Sequence, residues 1–468
     1  MFKPFHERRI IMGLNVTVHS SGQLSCCNEK EANMGKTDYK FSTQKEGREL
    51  LHTPEGVRDI YGEECARKIK VQETMHHVLK LYGFQDIQTP TFEFFDIFSE
   101  KRGTVAAKNM YRFFDREGNM LALRPDITPS VARSVAKYFK EEDLPIRLCY
   151  SGNTFINNSS YQGKLKETTQ IGAELINDDT SDADAEMIAV TIECLLESGI
   201  KELQVEVGHA DFFHGIVEEG KFDEAEKEEL RNLIISKNLF GVEEMMERKN
   251  LSGDLKKLFL ELPSMFGNLE NLNYAKSLTK NEQALHAISR LEKLYSILKT
   301  YGLHTYVTFD LGMLSEYNYY TGIIYKAYTY GTGEPVAKGG RYGNLIEQYG
   351  KRAPAIGLAI EIDQVMLALS RQKIDTLEEE IPLLILYKGD YRKSAIDLAN
   401  HYRKQQNKME LVRKSSRREL AEYERYAARK GAKEIIYIDH EENVMVYNTE
   451  AKEWKASSIS NLTELIHV

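Results

Sequence analysis

The sequence predicts an α+β protein: an antiparallel sheet with helices packed on one side, a helical insertion, and a small α/β domain at the C-terminal end. Three observations predict it. Short apolar strands separated by polar turns follow one another through the first half of the chain. Across about 222–302 the pattern switches to helices rich in Glu, Lys and Leu. Beyond residue 381, strand and helix patterns alternate. A chain of 468 residues accommodates two or three domains. The expected division is a disordered extension over 1–50, a core over 51–369, a charged linker over 370–380 and an α/β domain over 381–468.

The elements of the core read in order. HTPEGVRDI, from His52, holds Pro54 and Gly56 and reads as a turn before a helix starting near Glu63. Val71, Met75, Val78 and Tyr82 recur along that helix at helical spacing, which calls for one buried stripe, and Gly83 supplies the C-terminal cap. FQDIQTPTFEFF reads as one extended strand running through Pro90. YRFFD and MLALRPD are strands about a turn at REGN, followed by a helix over about 128–139. IRLCYSGNTF and TTQIGAELIN pair across a polar loop at 156–166. A helix over about 182–198 and the strand KELQVEVGH follow. After the insertion come the strands HTYVTFDLG and TGIIYKAYTY, a Gly-rich tight turn KGGRYG, the strand PAIGLAI and a helix over about 361–369. In the last domain PLLILY, MELVRK and EIIYID are strands of a largely parallel sheet, with helices near 391–405 and 416–431. The mixed-charge EYERYAARKGAKE reads as a solvated helix face.

Composition narrows the function classes. Hydrophobic residues make up 42% and charged residues 28%, as in ordinary globular proteins. A net charge of −9 argues against a protein devoted to nucleic acid, which needs a basic face. Every apolar run is well short of the roughly 20 residues of a membrane span. Five cysteines (Cys26, Cys27, Cys65, Cys149 and Cys194) are odd in number and lack metal-ligand spacing, so they read as reduced thiols of a cytoplasmic protein. The purine-rich codons expected upstream of Met34 make that residue a candidate start.

Five motifs carry a family resemblance. HTPEGVRDI, LRPDIT at 123–128, QIGAEL at 170–175, YNYYTG at 317–322 and GGRYG at 339–343 occur in the order found in histidyl-tRNA synthetases. The chain resembles that class II family from about Leu51 to Leu369, and its last domain resembles the family's anticodon-binding domain.

Amino-acid activation builds negative charge on the α-phosphate of ATP, and fixed arginines meet it. The resemblance places three such arginines at Ile156, Ser315 and Gln364, and the glutamate that holds adenine at Asn158. None of these positions carries the family's residue. Losing one charge-stabilising donor costs roughly 3 to 4 kcal/mol, and three together remove ~8 kcal/mol. Lys164, Lys166 and Arg341 are the cations close enough in sequence to replace them.

The amino-acid pocket is retained. The resemblance puts Asp126, Thr128 and Gln170 around a ligand ammonium and Glu174 and Tyr320 where an imidazole ring is read, with Tyr319 a further histidine-binding candidate. Gln170 and Glu174 share one face of a strand, and a Glu on an inward face is costly unless partnered. Asp126 has an alternative role as a cap for the helix at Thr128. Tyr319 and Tyr320 point to opposite faces, so one of them belongs to the core. The family's arginine for the ligand carboxylate falls at Ser315.

A synthetase-like body without these arginines is similar to the regulatory subunits of ATP phosphoribosyltransferase. That similarity implies no catalysis by this chain, no cofactor and no metal. It implies histidine as an allosteric ligand and a short-form catalytic subunit as partner. A homodimer, paired through the strand carrying Pro90, would sit within a larger hetero-oligomer, a hetero-octamer. Retention of the α/β domain leaves a working histidyl-tRNA synthetase, or a stand-alone histidine-sensing or RNA-binding paralogue, as alternatives.

Overall fold

The computed structural model describes residues 51–98, 105–158, 164–314, 320–376 and 383–464, together with the strand pair Thr17–Val18 and Leu24–Ser25. Met34, Cys26, Cys27, Ser315 and Tyr319 lie outside the described residues, as do the rest of the expected N-terminal extension and residues 377–380 of the charged linker.

The chain divides into two units. The smaller comprises Met1–Asp59 and Ser159–Lys166. Within it the HTPEGVRDI turn is closed by Val57 N donating to Pro54 O at 3.0 Å and by the Thr53 hydroxyl donating to Val57 O at 2.8 Å. Gly56 sits at φ 81°, a conformation in which a side chain would be strained.

The larger unit is built on a sheet of nine strands among the described residues. Their order is Phe266–Gly267, Val307–Asp310, Leu203–His209, Ile323–Thr329, Ala337–Arg341, Ala355–Glu361, Glu167–Ile176, Ile146–Phe155 and Gln85–Asp86. All neighbours are antiparallel except two pairs: Val307–Asp310 runs parallel to Leu203–His209 and Gln85–Asp86 parallel to Ile146–Phe155. Strand alternation sorts the side chains. Ile171, Ala173 and Leu175 enter a large core shared with the helices Gly62–Leu81, Ser181–Glu197 and Glu282–Tyr301. Gln170, Glu174 and Ile176 take the other face. That face carries a helix as well: Thr128–Tyr138 packs there on Leu148, Tyr150 and Ile176. The expectation of helices on one side therefore holds for the main core only.

Four further expectations need correction. FQDIQTPTFEFF is two strands: Gln85–Asp86 joins the main sheet, while Phe92–Phe94 starts a separate three-stranded sheet with Met120–Leu123 and Arg112–Phe114. Pro90, lacking an N–H, stands at the break. The insertion is not an independent body, because Phe266–Gly267 extends the main sheet and Leu291, Leu294 and Leu298 join its core. A helix at Ala210–Glu219 precedes it. KGGRYG is not a tight turn but the central strand Ala337–Arg341. Its glycines are required by crowding: a Cβ at Gly339 would collide with the Tyr325 ring, and one at Gly340 would sit 2.6 Å from Tyr320 Cε1. Finally, the last sheet has three parallel strands, Met409–Arg413, Leu383–Tyr387 and Glu434–Ile438. The unforeseen antiparallel hairpin Asn443–Asn448 and Glu453–Ser458 completes it. Its two faces bury separate cores, Ile385 with Leu398 on one and Leu386 with Tyr423 on the other.

No helix among the described residues is long and apolar enough to cross a membrane.

Candidate functional site

Glu174 is the centre of the site. It stands on Glu167–Ile176, beside Gly357 of the neighbouring strand, where any side chain would strike its carboxylate. Glu174 is completely buried. Three hydroxyls converge on it: Tyr342 donates to Oε2 at 2.6 Å, Thr128 to Oε1 at 2.9 Å and Tyr150 to Oε1 at 3.2 Å. Burial outweighs these bonds and raises the carboxyl to about 8, with the nearby Asp126 charge adding to the rise. The same burial raises the Tyr150 and Tyr342 phenols.

Next to it lies a second acidic group. Asp126 is buried, and its Oδ1 accepts from the Ile127 N–H at 2.7 Å. The helix that follows is not capped by any side chain, so the alternative role of Asp126 as a cap does not hold. Gln170 Nε2 donates to Glu361 Oε1 at 3.2 Å, whereas Gln170 Oε1 is buried without a hydrogen-bond partner. Burial raises Glu361; Gln170 and then the Lys338 ammonium oppose the shift, and Asp126 reinforces it. The cluster thus sets the Glu174, Asp126 and Glu361 carboxyls beside an orphaned amide oxygen.

Of the six residues expected to hold the ligand, the structure brings Asp126, Thr128, Gln170, Glu174 and Tyr320 together. The Thr128 hydroxyl donates to Glu174, which leaves its oxygen able to accept. Tyr320 is half-buried, packed on the Tyr342 cluster and over Gly340. Tyr150, Tyr342 and Glu361 were not anticipated.

Ile156, Asn158 and Gln364 are half-buried. Arg341 is not available to the cleft: its Nε donates to Asp184 Oδ1 at 2.5 Å, and its Nη1 and Nη2 to the carbonyls of Asp178 and Thr180, each at 2.8 Å. Arg124 is buried and bonded to the carbonyls of Asn153 at 2.8 Å and Thr89 at 3.0 Å, with burial lowering its pKa.

A predominantly antiparallel sheet flanked by helices defines a class II synthetase-like fold of the histidyl-tRNA synthetase type. Residues 56–365 match the family model "Histidyl-tRNA synthetase". The ATP phosphoribosyltransferase regulatory subunit of Acetivibrio thermocellus is 38% identical over 412 residues, covering 88% of this chain and 98% of the relative. That of Thermoanaerobacter pseudethanolicus is 40% identical, covering 74% of this chain and 90% of the relative. A solved ATP phosphoribosyltransferase regulatory subunit/histidyl-tRNA synthetase from Bacillus halodurans C is 30% identical with a TM-score of 0.75, over 83% of this chain and 98% of that one. A histidyl-tRNA synthetase from Nostoc, 18% identical, shares the fold with a TM-score of 0.73 over 89% of this chain and 98% of that one. The chain belongs to the family of ATP phosphoribosyltransferase regulatory subunits, relatives of histidyl-tRNA synthetase.

Proposed function

We propose that this chain is a non-catalytic regulatory subunit that activates a short-form ATP phosphoribosyltransferase catalytic subunit and confers feedback inhibition by histidine. The observation that carries the reading is the Glu174 pocket. A buried carboxyl ringed by phenols suits an imidazole, and the Asp126, Gln170 and Glu361 oxygens beside it suit an ammonium. The family's activating arginines are replaced at Ile156 and Gln364, and Arg341 is spent on Asp184, which supports a chain that does not activate an amino acid. Inhibition then follows from linkage. Histidine binds one conformation of this subunit better, and a coupling of ~1 to 3 kcal/mol across the interface suffices to lower the partner's activity.

The test mixes the chain with a short-form catalytic subunit. Phosphoribosyl transfer is expected only when both are present and is expected to fall on adding histidine. Robust histidine-dependent ATP–pyrophosphate exchange by this chain alone would replace the reading with that of a working synthetase.

The assembly is expected to contain a homodimer, itself part of a larger symmetric hetero-oligomer. The three-stranded sheet supports this, because one of its faces exposes Phe92 and Phe94 at 52 and 57%, with the Phe113 ring edge-on against Phe92. Such a contiguous apolar surface is unusual on a monomer. Phe94→Asp should weaken self-association at least ~tenfold, since burying one Phe contributes about 1.5 to 3 kcal/mol and an unpaired carboxylate adds a penalty. Sedimentation velocity reads the shift to monomer; an unchanged dimer would place the interface elsewhere.

A further inference from the structure

Away from the Glu174 pocket, on the helix-covered face at the end of the main sheet, three metal-ligating side chains meet. His76 comes from the helix Gly62–Leu81, Asp86 from the edge strand Gln85–Asp86 and Cys149 from its neighbour Ile146–Phe155. The edge strand aligns Asp86 directly with Cys149, and the helix crosses above them. His76 Nε2 lies 2.5 Å from Asp86 Oδ1, and the Cys149 thiol donates to the same oxygen at 3.5 Å. The three donor atoms fall within 4.8 Å of one another.

We infer that His76, Asp86 and Cys149 form a binding site for a zinc-like divalent transition ion. The donor set carries the choice of metal. One imidazole, one carboxylate and one thiolate suit a borderline-soft tetrahedral ion such as zinc or cobalt(II), and a thiolate discriminates against magnesium and calcium. Asp86 Oδ1 faces both the imidazole nitrogen and the thiol, and an ion held by all three releases the thiol proton to water. Thiolate and carboxylate then balance the dication. Lys80 Nζ, 2.9 Å from Asp86 Oδ2, holds the other carboxylate oxygen and so orients the ligand from outside.

Access and space agree with this use. Cys149 is fully buried, whereas the His76 and Asp86 side chains are 41 and 57% exposed. The thiol forms the floor of the site, and the other two ligands border solvent. Coordination needs the His76–Asp86 pair to part by roughly 1 Å, which two surface side chains accommodate, and a water completes the tetrahedron. Sequence spacing gives no hint of the site, since its ligands lie ten and sixty-three residues apart on three elements.

Cobalt(II) titration of the full chain tests the site. Adjacent Cys26 and Cys27 can bind cobalt by themselves, so the titration is made in a Cys26→Ser, Cys27→Ser background. A near-ultraviolet thiolate-to-cobalt charge-transfer band is expected to saturate at one ion per chain and to disappear on competition with zinc. Cys149→Ser should abolish it. His76→Ala, a change at a half-exposed helix position that leaves the core intact, should weaken cobalt binding at least ~tenfold, as losing one of three protein ligands does. No band in the parent, or a band unchanged in His76→Ala, would overturn the assignment. Zinc is also expected to raise the melting temperature of the parent and not of His76→Ala, because an ion that binds only the folded chain stabilises it.

Discussion

Glu174→Gln is expected to weaken histidine binding by roughly tenfold to a hundredfold, since a hydrogen bond to a charged group contributes about 1.5 to 3 kcal/mol. The reason lies in proton accounting. With its carboxyl at about 8, unliganded Glu174 is protonated at neutral pH. A free imidazole, with a reference value near 6.5, is then largely neutral. Transfer of the Glu174 proton to the bound ring creates a buried carboxylate–imidazolium pair without net uptake or release. Below about pH 6.5 the free ligand is already charged and Glu174 must shed a proton. Above about pH 8 a proton must be drawn from solvent. Binding should therefore be strongest between these limits and fall on both sides. Calorimetry across this range should show that profile in the parent and a loss of its alkaline limb in Glu174→Gln. Equal affinities in the two proteins would remove Glu174 from the ligand. The same substitution has an opposite effect on stability. A carboxyl raised from 4.5 to about 8 on folding contributes stability that is complete below 4.5 and lost as pH rises through 8. At roughly 1.4 kcal/mol per unit, the unliganded parent loses on the order of 5 kcal/mol across that interval. Glu174→Gln escapes the loss, so its melting temperature should exceed that of the parent at about pH 9 and approach it near pH 4.

Much of this site was legible because its main residues lie on strands whose alternation is strong. Gln170 and Glu174 had to share a face once ETTQIGAELI was recognised as a strand, and the buried stripe Val71, Met75 and Val78 fixed the helix that covers the other face. What stayed hidden depends on contacts between distant segments. Tyr342 follows a Gly-rich stretch that by propensity reads as a turn; it is a strand because the Tyr325 and Tyr320 rings fill the space that Cβ atoms would need. Misreading that strand also conceals that Arg341, one residue earlier, faces the helices while Tyr342 reaches Glu174. Tyr150 sits in IRLCYSGNTF, where an aromatic residue is ordinary in a strand, and only the pairing of Tyr150 with Gly172 brings its hydroxyl over the pocket. Glu361 lies at a strand–helix junction, where its nearness to Gln170 comes from register alone.

Asp184→Ala is expected to cost about 3 to 5 kcal/mol, the range for removing one partner of a buried ion pair. Asp184 is fully buried between two arginines: Arg341 Nε at 2.5 Å from Oδ1 and Arg290 Nε at 2.8 Å from Oδ2. Its removal leaves two guanidinium groups facing each other, one of them with a side chain only 5% exposed. The remaining bonds to the carbonyls of Asp178, Thr180 and Asp179 satisfy hydrogens, and the compensating charge left is the exposed Asp179 carboxylate, 3.3 Å from Arg290 and 3.4 Å from Arg341. Against a total stability of typically 5 to 15 kcal/mol this is a large fraction. One feature of the surroundings works against it. A cavity of about 460 Å³ borders Arg290 and Arg341 and is lined also by Asp179, Asp211 and Glu347. Water entering there would rehydrate the arginines, and the nearby carboxylates would partly neutralise them. The two effects separate by denaturant titration. Asp184→Ala combined with Arg290→Met should recover part of the loss, because it removes the repulsion that solvent screens least. A single-substitution cost below ~1 kcal/mol would mean that the cavity hydrates the pair. The consequence reaches the pocket when the arginines stay dry, because Arg341 anchors the end of the strand that delivers Tyr342 to Glu174. A loss near the upper end of the range should therefore be accompanied by weaker histidine binding, whereas hydrated arginines would leave that binding unchanged.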